Sequence, residues 1–364
     1  MRIVGPSTGL LLLAAVLPAG AEEVPDGKVR TAVARGIAWL RSQQAGDGSW
    51  GGLAGGRGTY RYPAGPTSLA LYTLLASGAE PDDPQVKRGF DYIQNYYRVP
   101  GSTYEITFLM LALHAKAPRI EGKLRMKPRD RAWLKTLQEQ LLSTWNGGGW
   151  RYGAAMQNPG GFARDMSHTQ FAAMALFAAH EAGLKPPKDT LRDTVLWVLG
   201  EQEPRGPARG WAYARKSPVR DETLPTGSMT TGGVATLLLT GRLLEELDPK
   251  GFRKHGRRVR EGIADGLTWL ALNWTTERNP STRETSSYHL MYLYGLERIG
   301  DFTQERLLGG HDWFAEGVAW LLANQAKEGM WDRQDVHRPY APINTCFALL
   351  FLSRATRPLA PPAK

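Results

Sequence analysis

Thr169 to Gly183 reads TQFAAMALFAAHEAG, a threonine followed by an apolar run that meets no acidic or basic charge until Glu181. The run is long enough for about four helical turns, and a helix that is apolar all round has to be buried on every side. The same design recurs along the chain: SLALYTLLASG from Ser68, TFLMLALHAKA from Thr107, TGGVATLLLTG from Thr231, SYHLMYLYGLERIG from Ser287 and TCFALLFLSRA from Thr345. The leading hydroxyl residues lie 39, 62, 62, 56 and 58 positions apart. Recurrence at that regularity is the mark of a repeat architecture.

Each apolar run follows an amphipathic segment. Arg30 to Gln44 puts Val33, Ile37 and Leu40 on one face and Arg35 and Arg41 on the other, and similar segments lie near 84–97, 129–144, 188–202, 257–274 and 311–325. One helix type can face water and the other cannot. Six of each in alternation place an outer ring around an inner ring, so the spacing predicts an all-α fold: a single α/α toroid of six helical hairpins over residues 22–357. Four of the loops entering the inner helices carry tryptophan after glycine: GDGSWGG (Gly46–Gly52), GGGWRYG (Gly147–Gly153), ARGWAYA (Ala208–Ala214) and KEGMWDR (Lys327–Arg333). Gln44 and Gln325 each stand six residues before such a tryptophan. A glutamine at a helix end can satisfy orphan backbone groups while the indole covers them, which reads as a structural clamp.

The chain has 364 residues and 42% hydrophobic composition, enough for one large core. Lys and Arg number 45 against 35 Asp and Glu, a balance that favours anionic partners in general. The one basic run, Arg253, Lys254, Arg257, Arg258 and Arg260, reads as a solvated helix face, and no nucleic-acid motif accompanies it. Arg2, the apolar stretch Gly9–Leu17 and Ala19-Gly20-Ala21 predict a signal peptide over residues 1–21, cleaved after Ala21, and hence export to the periplasm or the exterior. No later run is long and apolar enough to span a membrane. Residues 358–364 read as a flexible tail. Cys346 is the only cysteine, so an internal disulfide is excluded.

IAWLRSQQAGDGSWGG (Ile37–Gly52) resembles the Gln–Trp repeat of the terpenoid cyclase and protein prenyltransferase superfamily, the prenyltransferase/squalene oxidase repeat proteins. The resemblance runs from Val24 to Arg357. It implies an α/α toroid with a central cavity for a prenyl, terpenoid or other apolar ligand. The family's catalytic motifs are not intact. Where squalene–hopene-type cyclases carry Asp-x-Asp-Asp-Thr-Ala, this chain has Asp165-Met166-Ser167-His168-Thr169-Gln170, and a serine hydroxyl cannot protonate an alkene. Where prenyltransferase β subunits use an Asp-x-Cys pair to hold zinc, it has Asn344-Thr345-Cys346. The histidines at 114, 168, 180, 255, 289, 311 and 337 show no metal-ligand spacing, so neither a metal nor a cofactor is predicted.

Parallel inner helices bring their N-termini, with free N–H groups and partial positive charge, to one end of the ring. Asp165 and His168, three residues apart, can share a helix face and form an oriented acid–base pair, with Glu105 as a second acid. Tyr104, Ser167, Thr230, Ser286 and Asn344 stand at the same helix starts, and Arg151, Tyr152 and Trp211 lie in the adjoining loops as candidate ligand-binding residues. Capping accounts for most of the hydroxyl and amide positions equally well. Two functions follow from this mouth. One is binding of a small apolar or anionic ligand without cyclase or zinc chemistry; the other is a polysaccharide lyase or hydrolase. A deep, dry lumen favours the first, and a shallow groove of Tyr, Trp and Arg favours the second.

Overall fold

The computed structural model describes residues 26–50, 62–152, 164–206, 208–217, 223–281, 288–332 and 341–354. The signal peptide, Ser286 and the C-terminal tail lie outside the described residues. The inner helices are α2 (Ala64–Ala76), α4 (Thr103–Lys116), α6 (Met166–Glu181), α8 (Gly227–Leu247), α11 (His289–Thr303) and α13 (Ala341–Leu352). Outer helices alternate with them: α1 (Asp26–Ser42), α3 (Pro84–Tyr96), α5 (Pro128–Ser143), α7 (Lys188–Glu201), α10 (Gly256–Leu272) and α12 (Trp313–Ala323). A short α9 (Pro249–Arg253) links α8 to α10, and two-residue strands pair at 119–124 and 307–312.

The inner helices touch in the order α2, α4, α6, α8, α11, α13, and α13 returns to α2. The ring is therefore closed, as the repeat predicts. Burial explains the two helix types: all of Met166–Leu176 is buried in α6, whereas α3 buries only Val86, Gly89, Phe90 and Ile93. An inner helix is flanked by two inner neighbours and backed by outer helices, so nearly all of its surface is apolar; α11, which buries Glu297, Arg298 and Asp301, is an exception.

The tryptophan clamp recurs four times. The indole N–H of Trp50, Trp150, Trp211 and Trp331 donates to the carbonyl of Leu40, Leu141, Val198 and Leu321, each at 2.8 Å. The backbone N–H of the same four tryptophans donates to the hydroxyls of Thr67, Thr169, Thr230 and Thr345 at 3.0–3.1 Å. Each indole thus satisfies an orphan carbonyl at the end of an outer helix, while the threonine joins its loop to an inner helix. Gln44 and Gln325 bridge the loop carbonyls of Gly48 and Gly329 to the next outer helix. Gln202 does the same for Arg209 and Gly262, although it lies nine residues before Trp211. Gly48 and Gly329 have positive φ, and a Cβ there would stand 2.4 and 2.5 Å from the carbonyl oxygens of Arg88 and Arg35. Only glycine fits that close approach.

Candidate functional site

The clamp in the third repeat also builds the candidate site. The carbonyl of Trp150 accepts the backbone N–H of Asp165 at 2.9 Å, which fixes Asp165 as the N-cap of α6. Its carboxylate accepts the His168 amide at 3.0 Å and lies 2.7 Å from His168 Nδ1. Ser167 donates to the same carboxylate at 2.6 Å, and the Tyr104 hydroxyl, from α4, donates to Ser167 at 2.9 Å. The sequence-predicted Asp165, Ser167, His168 and Tyr104 therefore form one connected chain of hydrogen bonds.

Burial pushes the Asp165 carboxyl up, but the His168 charge and the hydrogen bonds from His168 and Ser167 outweigh it and hold the group below the ordinary carboxylate range. Burial, with the nearby Asp165 charge, pushes the Tyr104 phenol well above its usual value, so it stays a neutral proton donor. With Nδ1 directed at Asp165, the second ring nitrogen of His168, Nε2, meets no partner among the described residues. The imidazole is held between the Tyr104 ring at 4.3 Å and the Tyr152 ring at 4.2 Å, and it is only 1% exposed. Tyr152 covers it and is itself 38% exposed. Tyr152 stacks on Tyr62 at 5.5 Å, and Tyr213 with the exposed Tyr288 continues the rim at 6.4 Å. Tyrosines therefore cluster around His168 at the N-terminal end of the ring.

Other predicted residues are placed differently. Glu105 is buried and occupied: one carboxylate oxygen accepts the Ala64 N–H of α2 at 2.9 Å, the other the Ser102 N–H at 3.2 Å. It holds together the starts of α2 and α4, with both carboxylate oxygens engaged by backbone N–H groups. Trp211 and Thr230 are fully buried in the third clamp, so neither can touch a ligand at the mouth. Asn344 is half-buried in the first turn of α13. Arg151 is half-buried, and its carbonyl accepts the Thr103 hydroxyl, which binds the loop after Trp150 to the start of α4. Ser286 lies outside the described residues. Burial pushes the Cys346 thiol up to about 12, so it is protonated at neutral pH. Among the described residues no group of three or more His, Cys, Asp or Glu could hold a metal ion, and no helix is long and apolar enough to cross a membrane.

Aromatic side chains from opposite inner helices meet inside the ring. Phe347 of α13 meets Phe108 of α4 and Phe171 of α6, each at 6.4 Å, although α13 is a ring neighbour of neither. Tyr294 of α11 stacks on Phe347 at 5.8 Å and shares a 3.0 Å hydroxyl hydrogen bond with Tyr72 of α2. These side chains meet across the axis of the ring as an aromatic layer. Below the layer the guanidinium of Arg298 is fully buried against Phe171 and Tyr294. The sequence signal for this group was the charged pair Glu297-Arg298 inside an otherwise apolar run.

No protein-family model matches the chain, and no curated protein matches it in sequence. Solved structures match its fold. The type II terpene cyclase MstE from Scytonema aligns with a TM-score of 0.55 at 10% identity over 90% of this chain and 98% of that one. The GH76A α-1,6-mannanase of Salegentibacter sp. HEL1_6 aligns with a TM-score of 0.59 at 11% identity over 90% and 98%. An inactive variant of that mannanase bound to α-1,6-mannotriose aligns with a TM-score of 0.58 at 12% identity over 90% and 98%. The fold is the α/α toroid that terpene cyclases and GH76 mannanases share; at these identities the likeness concerns the fold alone.

Proposed function

We propose that the protein acts on a carbohydrate chain at its N-terminal mouth, with Asp165, His168 and Tyr104 as the acid–base group. The cluster of tyrosines around His168 supports this reading. Tyr62, Tyr104 and Tyr152 present ring faces that suit the flat faces of sugar rings, while the layer of Phe108, Phe171, Tyr294 and Phe347 lies across the axis where a polyprenyl chain would run. Arg298 points the same way, because its guanidinium occupies the faces of Phe171 and Tyr294 that would otherwise stabilise a carbocation.

The chemistry assigned to the mouth is single-histidine proton transfer and not two-carboxylate hydrolysis. Asp165 is bound to His168 and Ser167, and Glu105 to two backbone amides, so these two acids do not form a free catalytic pair. On a uronate residue, His168 Nε2 takes the proton from the carbon beside the carboxylate while Asp165 holds Nδ1–H; the freed electron pair forms a carbon–carbon double bond as the bond to the glycosidic oxygen on the next carbon breaks, and the neutral Tyr104 phenol gives its proton to that oxygen. Tyr152 has to swing aside to admit the sugar. Export after cleavage at Ala21 belongs to the same proposal, since a polysaccharide substrate lies outside the cell.

Affinity electrophoresis in neutral and uronate-containing polysaccharides, with product analysis for reducing ends and unsaturated sugars, tests the reading. Retardation by at least one glycan, weakened in Tyr152→Ala, is the expected result. Absence of any retardation, together with a polyprenyl lipid retained in native mass spectrometry, would overturn it.

A further inference from the structure

The opposite end of the ring holds a separate cavity of about 220 Å³, beyond the aromatic layer. The C-terminal halves of the inner helices wall it with Leu75, Leu111, Phe177, Leu239 and Phe302. Tyr72 and Met174 line its deeper part. At the rim, the arginines are already paired: Arg119 with Glu181 at 2.7 Å and Arg354 with Asp301, while His114 Nε2 lies 2.8 Å from the same Glu181 carboxylate.

The cation behind Met174 is not satisfied in that way. Arg298 lies between Tyr294 and Phe302 at helical spacing on α11, and its guanidinium is fully buried. Nη2 donates to Gln170 Oε1 at 2.6 Å, but Nη1 reaches only the Met174 sulfur, at 3.1 Å, and a thioether is a weak acceptor. Arg298 Nε and Gln170 Nε2 meet no acceptor among the described residues. Glu297, buried beside Arg298 on the same helix, acts on it through space. All the unmet groups are donors, so an oxygen acceptor completes them, and burial makes leaving them unmet costly.

We propose that this C-terminal mouth is a second ligand site, for a small aryl or short acyl carboxylate. Its carboxylate takes the place of the Met174 sulfur at Arg298 and Gln170, and its apolar body lies among Leu75, Leu111 and Phe177. Met174, unbranched and flexible, can move to admit it. The size fits, because an apolar cavity of about 150 Å³ already takes a benzene ring. The site is separated from the glycan mouth by the aromatic layer and stands independently of that reading.

Fluorine NMR titration of the full chain with 4-fluorobenzoate and with fluorobenzene tests it. The wild type is expected to bind 4-fluorobenzoate at least about tenfold more tightly than fluorobenzene, the effect of a charged hydrogen-bonded pair. Arg298→Met is expected to lose that preference, and Ala115→Trp, at the half-buried rim of the cavity, to lose both probes. Equal affinity of the wild type for the two probes, no binding of either, or undiminished 4-fluorobenzoate binding by Ala115→Trp would each overturn the proposal. So would a retained preference in folded Arg298→Met; if that variant does not fold, the wild-type preference and Ala115→Trp decide.

Discussion

The carboxylate of Asp165 lies 2.7 Å from the Nδ1 atom of His168 and at the same time accepts the His168 backbone N–H at 3.0 Å. One group therefore caps the helix and orients the imidazole that the helix carries. The two roles separate on substitution, because asparagine caps a helix about as well as aspartate but carries no charge. Asp165→Asn is expected to change unfolding free energy by no more than about 1 kcal/mol. If the dyad moves protons, turnover on a glycan substrate is expected to fall by about a hundredfold or more. Denaturant unfolding and rate measurement on the same preparation check this. Wild-type turnover in a folded Asp165→Asn or His168→Ala variant would remove the dyad from the mechanism.

Glu181 gives the second prediction, and it concerns acid stability. Burial raises its carboxyl, but the hydrogen bonds and charges of His114 and Arg119 outweigh that and bring it from 4.5 down to about 2. A folded-state value lowered in this way adds stability that is complete above 4.5 and is lost as pH falls toward about 2. Because the side chain is 30% exposed, screening reduces the contribution to the order of 1 kcal/mol. Glu181→Gln is expected to be less stable than the wild type at pH 6, with the difference shrinking as pH drops through that window. A difference that stays constant with pH would show that the pair does not titrate as described.

The clamps give the third. Thr230→Val leaves the Trp211 N–H, fully buried, without its 3.1 Å acceptor, which costs about 1–3 kcal/mol. Trp211→Phe removes the 2.8 Å bond to Val198 and is expected to cost about 1 kcal/mol or more. Neither is expected to alter glycan retention, because both side chains are held away from the mouth. Chemical denaturation and affinity electrophoresis measure the two effects side by side. Weakened retention in a folded Trp211→Phe variant would return Trp211 to the ligand surface.

Both rings are legible in the sequence because burial acts on every repeat alike. A helix enclosed on all sides disfavours charge along its length, with α11 and its buried Arg298 an exception, and a helix covering it needs only one apolar stripe. The Asp165–His168 pairing is legible for a similar reason, since three-residue spacing on one helix is local geometry. Glu105 shows where local reading fails: its partner Ala64 belongs to another helix, so its role in joining two caps depends on how α2 and α4 meet. The lumen was hidden for the same reason. Phe108, Phe171 and Phe347 each read as ordinary core, and only ring closure brings α13 opposite α4 and α6. Gln202 escaped the fixed six-residue spacing because its loop is three residues longer than those of Gln44 and Gln325.

Glu105 itself yields the last prediction. Glu105→Ala leaves the Ala64 and Ser102 N–H groups without the oxygens that meet them at 2.9 and 3.2 Å. Two such donors at buried positions cost about 2–4 kcal/mol together, a large share of the stability of a typical domain. The loss is expected in the unfolding midpoint and not in the rate per folded molecule, because both carboxylate oxygens are engaged by backbone N–H groups at the α2–α4 junction. A Glu105→Ala protein that stays as stable as the wild type but turns over no glycan would reverse the assignment and make Glu105 the acid of the site.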